Sequence, residues 1–241
     1  MRIKQGGTWR WSHLRVKWGG LWKTPQRILT KVNGVWQGIQ HLLSVMNGLT
    51  RWWLSESKTV DPISGTSLTV SSGATFAAVL GRMSLRIYGG RYALVPSVSL
   101  SGNWTINLWY YPLGFDTYTH LLTHLSGQNT FAFKLTSATY VGGPGRPYLV
   151  FNSASHGLTS QAIPLNKWSM LTVTHSNGVL RIYVDGVLST TTNISVSVAA
   201  TNMYVGRGHE EEYSNGYQRD MLFYNRALSQ TEIDTIYQEQ A

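Results

Sequence analysis

The stretch "WSMLTVTHSNGVLRIYVDGVLSTTT", beginning at Trp168, leaves this chain few ways to fold. Apolar and polar residues alternate along it, and Asn177-Gly178 and Asp185-Gly186 interrupt the alternation eight residues apart. Alternation is the period of a half-buried strand. Asn-Gly and Asp-Gly supply the positive φ that a type I′ turn needs at both of its central positions. Three consecutive antiparallel strands are therefore predicted. Similar runs occur at "RMSLRIYG", "YALVPSV", "NWTINLWYYP", "TFAFKLT", "RPYLVFN" and "NMYVG", each bounded by Gly, Pro, Ser or Asn. Many short strands and almost no helix predict an all-β, antiparallel two-sheet sandwich or jelly roll. One short helix is expected near the end, where Ser229 and Glu232 form a capping box and Ile233, Ile236 and Tyr237 share a face.

The first fifty residues repeat a different unit. Gly6-Gly7, Gly19-Gly20, Asn33-Gly34 and Asn47-Gly48 are four turn candidates spaced 13, 14 and 14 residues apart. The first three are followed two places on by Trp9, Trp22 and Trp36, and "KWGGLWK" from Lys17 lies over "KVNGVWQ" from Lys31. Each unit reads as strand, tight turn, strand. A lone two-stranded hairpin is at best marginally stable, so such a repeat needs neighbours or copies from other chains to stack against.

Charge divides the molecule in the same region. Residues 1–54 carry nine Lys or Arg and no acid, whereas residues 55–241 carry eleven of each sign, so the net +9 belongs to the repeat segment. Seven of the ten Trp are there too, Trp52 and Trp53 included. A boundary is expected at residue 54, between a small basic Trp-rich hairpin module and a larger neutral jelly roll. Cysteine is absent, which excludes disulfides and thiolate metal sites. The start, "MRIKQGGTWRWSH", lacks the apolar region of a signal peptide, and no run is long enough to span a bilayer. A soluble protein not exported by the usual route is expected.

"LNKWSMLTVTHSNGVLRIYVDGVL" (Leu165 to Leu188), then "YVGRG" and "NGYQRDMLFYNRALSQTEIDTIY" (Asn215 to Tyr237), resembles the laminin G-like, concanavalin A-like superfamily. "LRIYGGRYALVPSVSLSGNWTINLWYYP" (Leu85 to Pro112) looks like that family's first strands, so the resemblance covers roughly residues 55–241. It implies a two-sheet jelly roll and glycan or protein binding more often than catalysis. Where the family has an aliphatic residue and an Asp in the closing strand, this chain has Gln218 and Arg219, so no carboxylate stands there for a metal-associated role. The N-terminal units "VKWGGLWK" and "KVNGVWQ" resemble short repeats of bacteriophage virion proteins, especially tail, fibre and capsid-attached ones. A basic anchor with a laminin G-like head is similar to an adhesin mounted on a particle. The lack of a signal peptide fits a virion part, which assembles in the host cytoplasm and leaves by lysis.

Glycan binding calls for exposed aromatics that stack on sugar faces, with polar groups beside them. Tyr140, Arg146 and Tyr148 on "SATYVGGPGRPY" and His209 and Tyr213 on "GRGHEEEYSNGY" are the candidates, against the alternative that these tyrosines cap the sandwich edge. Trp104, Trp109 and Trp168, inside strand patterns, are expected in the core. Polysaccharide cleavage would need two or three carboxylates close together on one strand. Asp116, Asp185, Asp220 and the run Glu210, Glu211, Glu212 do not supply that, Asp185 being a turn residue and the glutamates reading as a solvated surface. No catalytic residues are therefore assigned. His120 and His124 lie about 13 Å apart if their segment is a strand, too far to share one zinc ion. Ca²⁺ held by loop oxygens is the one cofactor left open, with ligands the sequence does not locate.

In the basic segment, Trp9, Trp22, Trp36, Lys17 and Lys31 read as an anchor that docks on other virion proteins or builds an oligomer. Lysines on exposed strands also deter edge pairing. Nucleic-acid binding is the weaker reading, membrane contact weaker still, and homotrimerisation is compatible with a fibre or spike. The expectation is a non-enzymatic virion protein, a fibre, spike or capsid decoration, whose jelly roll contacts host-surface glycans. The alternatives are a bracing or cement protein without sugar binding, and a polysaccharide-degrading enzyme on the same fold.

Overall fold

A computed structural model describes residues 45–53, 59–117, 119–126, 130–208 and 212–241, together with the backbone of six short strands before residue 39. Those six strands form three hairpins. β1 (Lys4–Gln5) pairs with β2 (Thr8–Trp9), β3 (Val16–Trp18) with β4 (Leu21–Lys23), and β5 (Leu29–Val32) with β6 (Val35–Gly38). The register sets Lys4 opposite Trp9, Lys17 opposite Trp22 and Lys31 opposite Trp36. The packing expected of those side chains lies outside the described residues.

The fourth turn candidate, Asn47-Gly48, does something different. Gly48 has φ +77°, but β7 (Leu49–Trp53) after it pairs with β21 (Gly216–Tyr224), setting Trp53 opposite Met221 and Leu49 opposite Tyr224. Trp53 is fully buried in the main core, edge-to-face with Phe223 at 5.6 Å between centroids. The sandwich thus begins before the boundary expected at residue 54. Composition groups Trp52 and Trp53 with the basic segment, whereas hydrogen bonding and packing assign them to the neutral one.

The first sheet contains β9 (Phe76–Val79), β10 (Arg82–Arg86), β12 (Trp104–Pro112), β17 (Ser169–Ser176), β18 (Val179–Val184), β19 (Val187–Asn193), β21 and β7. Its order is β19-β18-β17-β12-β21-β10-β9, with β7 also on β21. The second contains β8 (Thr69–Val70), β11 (Ala93–Leu100), β13 (Thr119–His124), β14 (Phe131–Leu135), β15 (Pro147–Phe151), β16 (Ala154–His156) and β20 (Val198–Val205). Its order is β16-β15-β14-β13-β20-β11-β8. The predicted turns join β17 to β18 and β18 to β19, with Asn177, Gly178, Asp185 and Gly186 at φ +50°, +75°, +51° and +81°. Positive φ at both central positions is what a type I′ turn requires. Asp185 Oδ1 also accepts the Met170 amide at 2.7 Å, which confirms it as a turn residue.

Alternate residues of facing strands fill the interior. Ile106, Leu108 and Tyr110 of β12 meet Phe131, Phe133 and Leu135 of β14 in one cluster. On the far side of the first sheet, α1 (Gln230–Gln240) starts with the predicted capping box and lays Ile233 and Ile236 against Trp109, Met170 and Leu222. The departure at Gln218 and Arg219 acquires a role here. The Arg219 guanidinium lies 4.4 Å from the Trp109 ring and 5.0 Å from the Trp168 ring, and donates to Asp220 at 2.6 Å and to the Gln240 carbonyl at 2.8 Å. It ties the end of the helix to the sheet. Trp104 and Trp109 are buried as expected, but Trp168 is only half-buried, because it precedes β17 and flanks this arginine.

Candidate functional site

α1 covers part of the outer face of the first sheet; most of the candidate residues lie on the outer face of the second. Strand alternation sends Leu149 and Phe133 into the core and Tyr148 and Lys134 outward. The register continues this row, with Tyr148 opposite Lys134 and Lys134 opposite His120. Arg146, two places before Tyr148, takes the same side. Its amide is held by Thr136 Oγ1 at 2.9 Å. The Tyr140 ring and the Arg146 guanidinium both border Gly142, where an added Cβ would stand 2.8 Å and 3.5 Å from them. Tyr140 is exposed, while Arg146 and Tyr148 are half-buried.

Beside this row, residues 206–208 lie against residues 212–214, with the Gly208 amide donating to the Glu212 carbonyl. The Ser214 amide donates to the Gly206 carbonyl at 2.9 Å, and Arg207 bridges Tyr213. This pairing brings Glu212 onto His120, whose neutral imidazole donates from Nε2 to Glu212 Oε2 at 2.7 Å and accepts the Thr123 hydroxyl at Nδ1, 3.0 Å away. Burial, and then the neighbouring Lys134 cation, hold the His120 pKa down at about 3. Burial likewise lowers Lys134, with Glu212 opposing it. Glu212 is therefore an internal partner of a buried imidazole and not the solvated residue expected from its place in a run of three glutamates. Gly208 is required to be glycine here, since a Cβ would lie 2.6 Å from His120 Nε2 and 2.7 Å from Glu212 Oε2.

Hydroxyl, imidazole and carboxylate stand in the order of a nucleophilic triad. Thr123 and His120 are both fully buried. His124 lies at the other end of the same strand, where its Nδ1 accepts the Ser126 amide. Among the described residues no three His, Asp or Glu side chains converge on a metal-sized site.

Beyond these segments, aromatic rings and arginines interleave. Arg207 lies 4.7 Å from the Tyr92 ring, 4.8 Å from Tyr204 and 5.7 Å from Tyr213. Tyr92 stacks on Tyr213 and meets Tyr204 edge-on. On the outer face of the first sheet, Arg86, opposite Tyr217, lies 3.8 Å over Tyr88, which meets Tyr217 edge-on, with Arg91 5.8 Å from the Tyr88 ring. The candidates Arg146, Tyr148 and Tyr213 thus belong to one face of the sandwich, with Tyr140 at its margin. His209, Glu210 and Glu211 lie outside the described residues. The sequence reading missed Tyr92, Tyr204 and Arg207. For Tyr204 the strand pattern of "NMYVG" was a signal, since a residue between Met203 and Val205 of the core must point away from it.

The other carboxylates are engaged or isolated. Asp61 is fully buried, and its carboxylate takes the amides of Trp52, Ile63 and Ser64 and the Ser64 hydroxyl, fixing β7 to the turn beside it. Asp220 pairs with Arg219, and Glu232 with Arg226 at 2.6 Å. Asp116 is exposed.

Fold and face together define a lectin-like sandwich. The chain belongs to the concanavalin A-like lectin/glucanases superfamily, whose family model matches residues 88–234. No curated protein matches its sequence. Among solved structures it is similar to domain 4 of a GH43 extracellular arabinanase from Geobacillus stearothermophilus in complex with arabinotriose. That likeness has a TM-score of 0.67 at 18% identity, covering 78% of this chain and 98% of that one. The botulinum neurotoxin serotype D binding domain matches at TM-score 0.63 and 15% identity, covering 82% of this chain and 53% of that one. A botulinum neurotoxin type C structure, whose cell entry depends on two ganglioside molecules, matches at TM-score 0.64 and 11% identity. The chain spans about half the length of these toxin domains. No helix among the described residues is long and apolar enough to cross a membrane.

Proposed function

We propose that this protein is a non-enzymatic structural component of a bacteriophage virion, a fibre, spike or capsid decoration, whose sandwich binds glycans on the host surface. The observation that carries the glycan reading is the outer face of the second sheet, where, among the described residues, Arg146, Tyr148, Tyr213 and Arg207 offer half-buried rings beside hydrogen-bond donors. Such a mix of apolar surface and a few convergent polar groups is what a sugar site needs. Two of the structural neighbours are themselves described with carbohydrate, one with arabinotriose and one with gangliosides. The buried state of Thr123 and His120 and the engagement of Asp61, Asp220 and Glu232 support a binding role over cleavage. The virion assignment rests on the basic hairpin repeat, whose Lys-opposite-Trp register recurs three times and would serve as the docking element for other virion proteins.

The test is a glycan array probed with the full-length protein, a Tyr148→Ala, Tyr213→Ala double variant and a Tyr140→Ala variant, each with and without a Ca²⁺ chelator. Selective binding lost in the double variant supports the face. A folded protein that binds no glycan refutes it and leaves the bracing role. Antibody labelling of purified phage particles tests the virion assignment, and absence from the particle overturns it.

A further inference from the structure

Alternation along four strands of the first sheet sets a row of aromatic side chains on its outer face. Tyr110 and Leu85 belong to the core, with Gln218 opposite both, so Tyr111 and Tyr217, which stand opposite each other, point outward. The register carries the row to Trp168 beside Tyr111 and to Arg86 opposite Tyr217, and Tyr88, two places past Arg86, takes the same side. The rings meet edge-on in succession: Trp168 and Tyr111 at 5.5 Å between centroids, Tyr111 and Tyr217 at 6.1 Å, Tyr217 and Tyr88 at 6.4 Å. All four are half-buried. α1 covers Trp109, Met170 and Leu222, and its last turn is bonded to Trp109 and Arg219 through Gln240, one row before these rings.

Both ends of the row are fixed. Trp168 Nε1 donates to the Val79 carbonyl at 3.2 Å, and the Arg219 guanidinium lies 5.0 Å from the Trp168 ring. At the other end Arg86 covers Tyr88 at 3.8 Å, and Arg91 is held near the same ring by its bonds to the Gly73 and Tyr88 carbonyls at 2.6 and 3.1 Å. Rings held in this way lose little freedom on binding.

Three tyrosines and an indole suit a ligand that is apolar on its faces and hydrogen-bonding at its rim. An acyl chain or an apolar peptide would call for aliphatic side chains, and the row contains none. The chain's own hairpins are a poor occupant, because residues 1–54 carry nine Lys or Arg and no acid and the row ends at Arg86 and Arg91. Strands lie about 4.8 Å apart, close to the length of one sugar unit in an extended chain. We infer that Trp168, Tyr111, Tyr217 and Tyr88 form a second carbohydrate-binding surface, on the opposite side of the sandwich from Arg146, Tyr148 and Tyr213, which takes a linear glycan laid across the strands.

This inference rests on glycan binding as the protein's function but on no residue of the second-sheet face, and the experiment separates the two. Full-length protein, a Tyr111→Ala, Tyr217→Ala pair, the Tyr148→Ala, Tyr213→Ala pair and the variant combining all four are probed on one glycan array. The best-bound linear glycan is then titrated by calorimetry in a series of increasing length. Binding is expected to survive in the second-sheet pair, to strengthen with chain length until the row is filled, and to weaken roughly ten- to a hundredfold in the first-sheet pair. Unfolding midpoints show whether the alanine pair loses the fold, in which case Tyr111→Leu with Tyr217→Leu, which keeps apolar volume without the ring faces, carries the comparison.

A first-sheet pair that binds every glycan as the wild type does, or a second-sheet pair that binds none, overturns the second surface and leaves the first. Loss in the first-sheet pair alone leaves this surface and removes the other. A first-sheet pair with unchanged glycan binding but an altered mass in sedimentation makes the row an interface between copies, and the inference falls. No binding to any glycan by the folded wild type overturns both readings.

Discussion

Replacing Trp53 by Ala tests where the sandwich begins. Its side chain is 0% exposed, and an indole takes about 150–250 Å² out of water. At roughly 25 cal/mol per Å² that burial is worth about 4–6 kcal/mol. Truncating a buried Trp to Ala generally costs about 3–5 kcal/mol, because the cavity collapses in part. Two local facts act in opposite directions. The edge-to-face contact with Phe223 is lost, which raises the cost, but the indole N–H has no hydrogen-bond partner, so no acceptor is orphaned. A loss near 3–4 kcal/mol follows, roughly 6–16 °C in midpoint for a domain of this size. Far-UV dichroism of the full chain on heating, repeated in guanidinium, measures it, with half-buried Trp168→Ala as the control expected to cost less. Chains starting at residues 45 and 55 give the same information by deletion: the first keeps β7 and should fold, and the second should be severely destabilised. A Trp53→Ala transition within 1 kcal/mol of wild type would refute the assignment of β7 to the core.

Three further outcomes are expected. His120 is held neutral with its pKa near 3, whereas the unfolded residue titrates near 6.5, so between those values the unfolded chain binds a proton that the folded one does not. Stability should therefore fall with acidification below pH 6.5 by up to about 1.4 kcal/mol per unit from this group, and His120→Gln should flatten that slope in denaturant titrations at pH 4–7. Gly208→Ala should lower the midpoint and weaken glycan binding together, because its methyl collides with both His120 and Glu212; an unchanged midpoint would count against the loop geometry. Arg219→Lys should cost about 1–3 kcal/mol, since an ammonium cannot keep both bonds and the position between the two indoles, and amide exchange should quicken first in α1.

What was legible in the sequence followed from local rules. Asn177-Gly178 and Asp185-Gly186 require positive φ, and alternation between them has one period, so the β17-β18-β19 meander could be written down directly. Ser229 and Glu232 likewise specify a helix start by reciprocal hydrogen bonds. Where local pattern had two solutions, it failed. Asn47-Gly48 looks like the three turns before it, and only the distant β21 decides that the next strand leaves the repeat. Glu212 reads as surface because it follows two glutamates, and only a register contact from β13, 92 residues away, turns it inward. The rings around Arg207 come from three segments, at Tyr92, Tyr204 and Tyr213, so no spacing rule could assemble them.

The unequal treatment of the two outer faces connects these observations. On the first sheet, Arg219 replaces the acid of the family pattern and fastens the end of α1, so that Trp109, Met170 and Leu222 are covered by the chain's own helix. On the second sheet, Glu212 joins the buried polar row of His120 and Lys134, with the Arg207 guanidinium and its rings at the border. A buried imidazole, ammonium and carboxylate are costly to assemble unless they are mutually satisfied. Placing them together there fixes Tyr213 and the Arg207 backbone relative to Tyr148 and Lys134. The proposed glycan binding would draw on that rigidity, because a flexible aromatic would lose to entropy what stacking supplies.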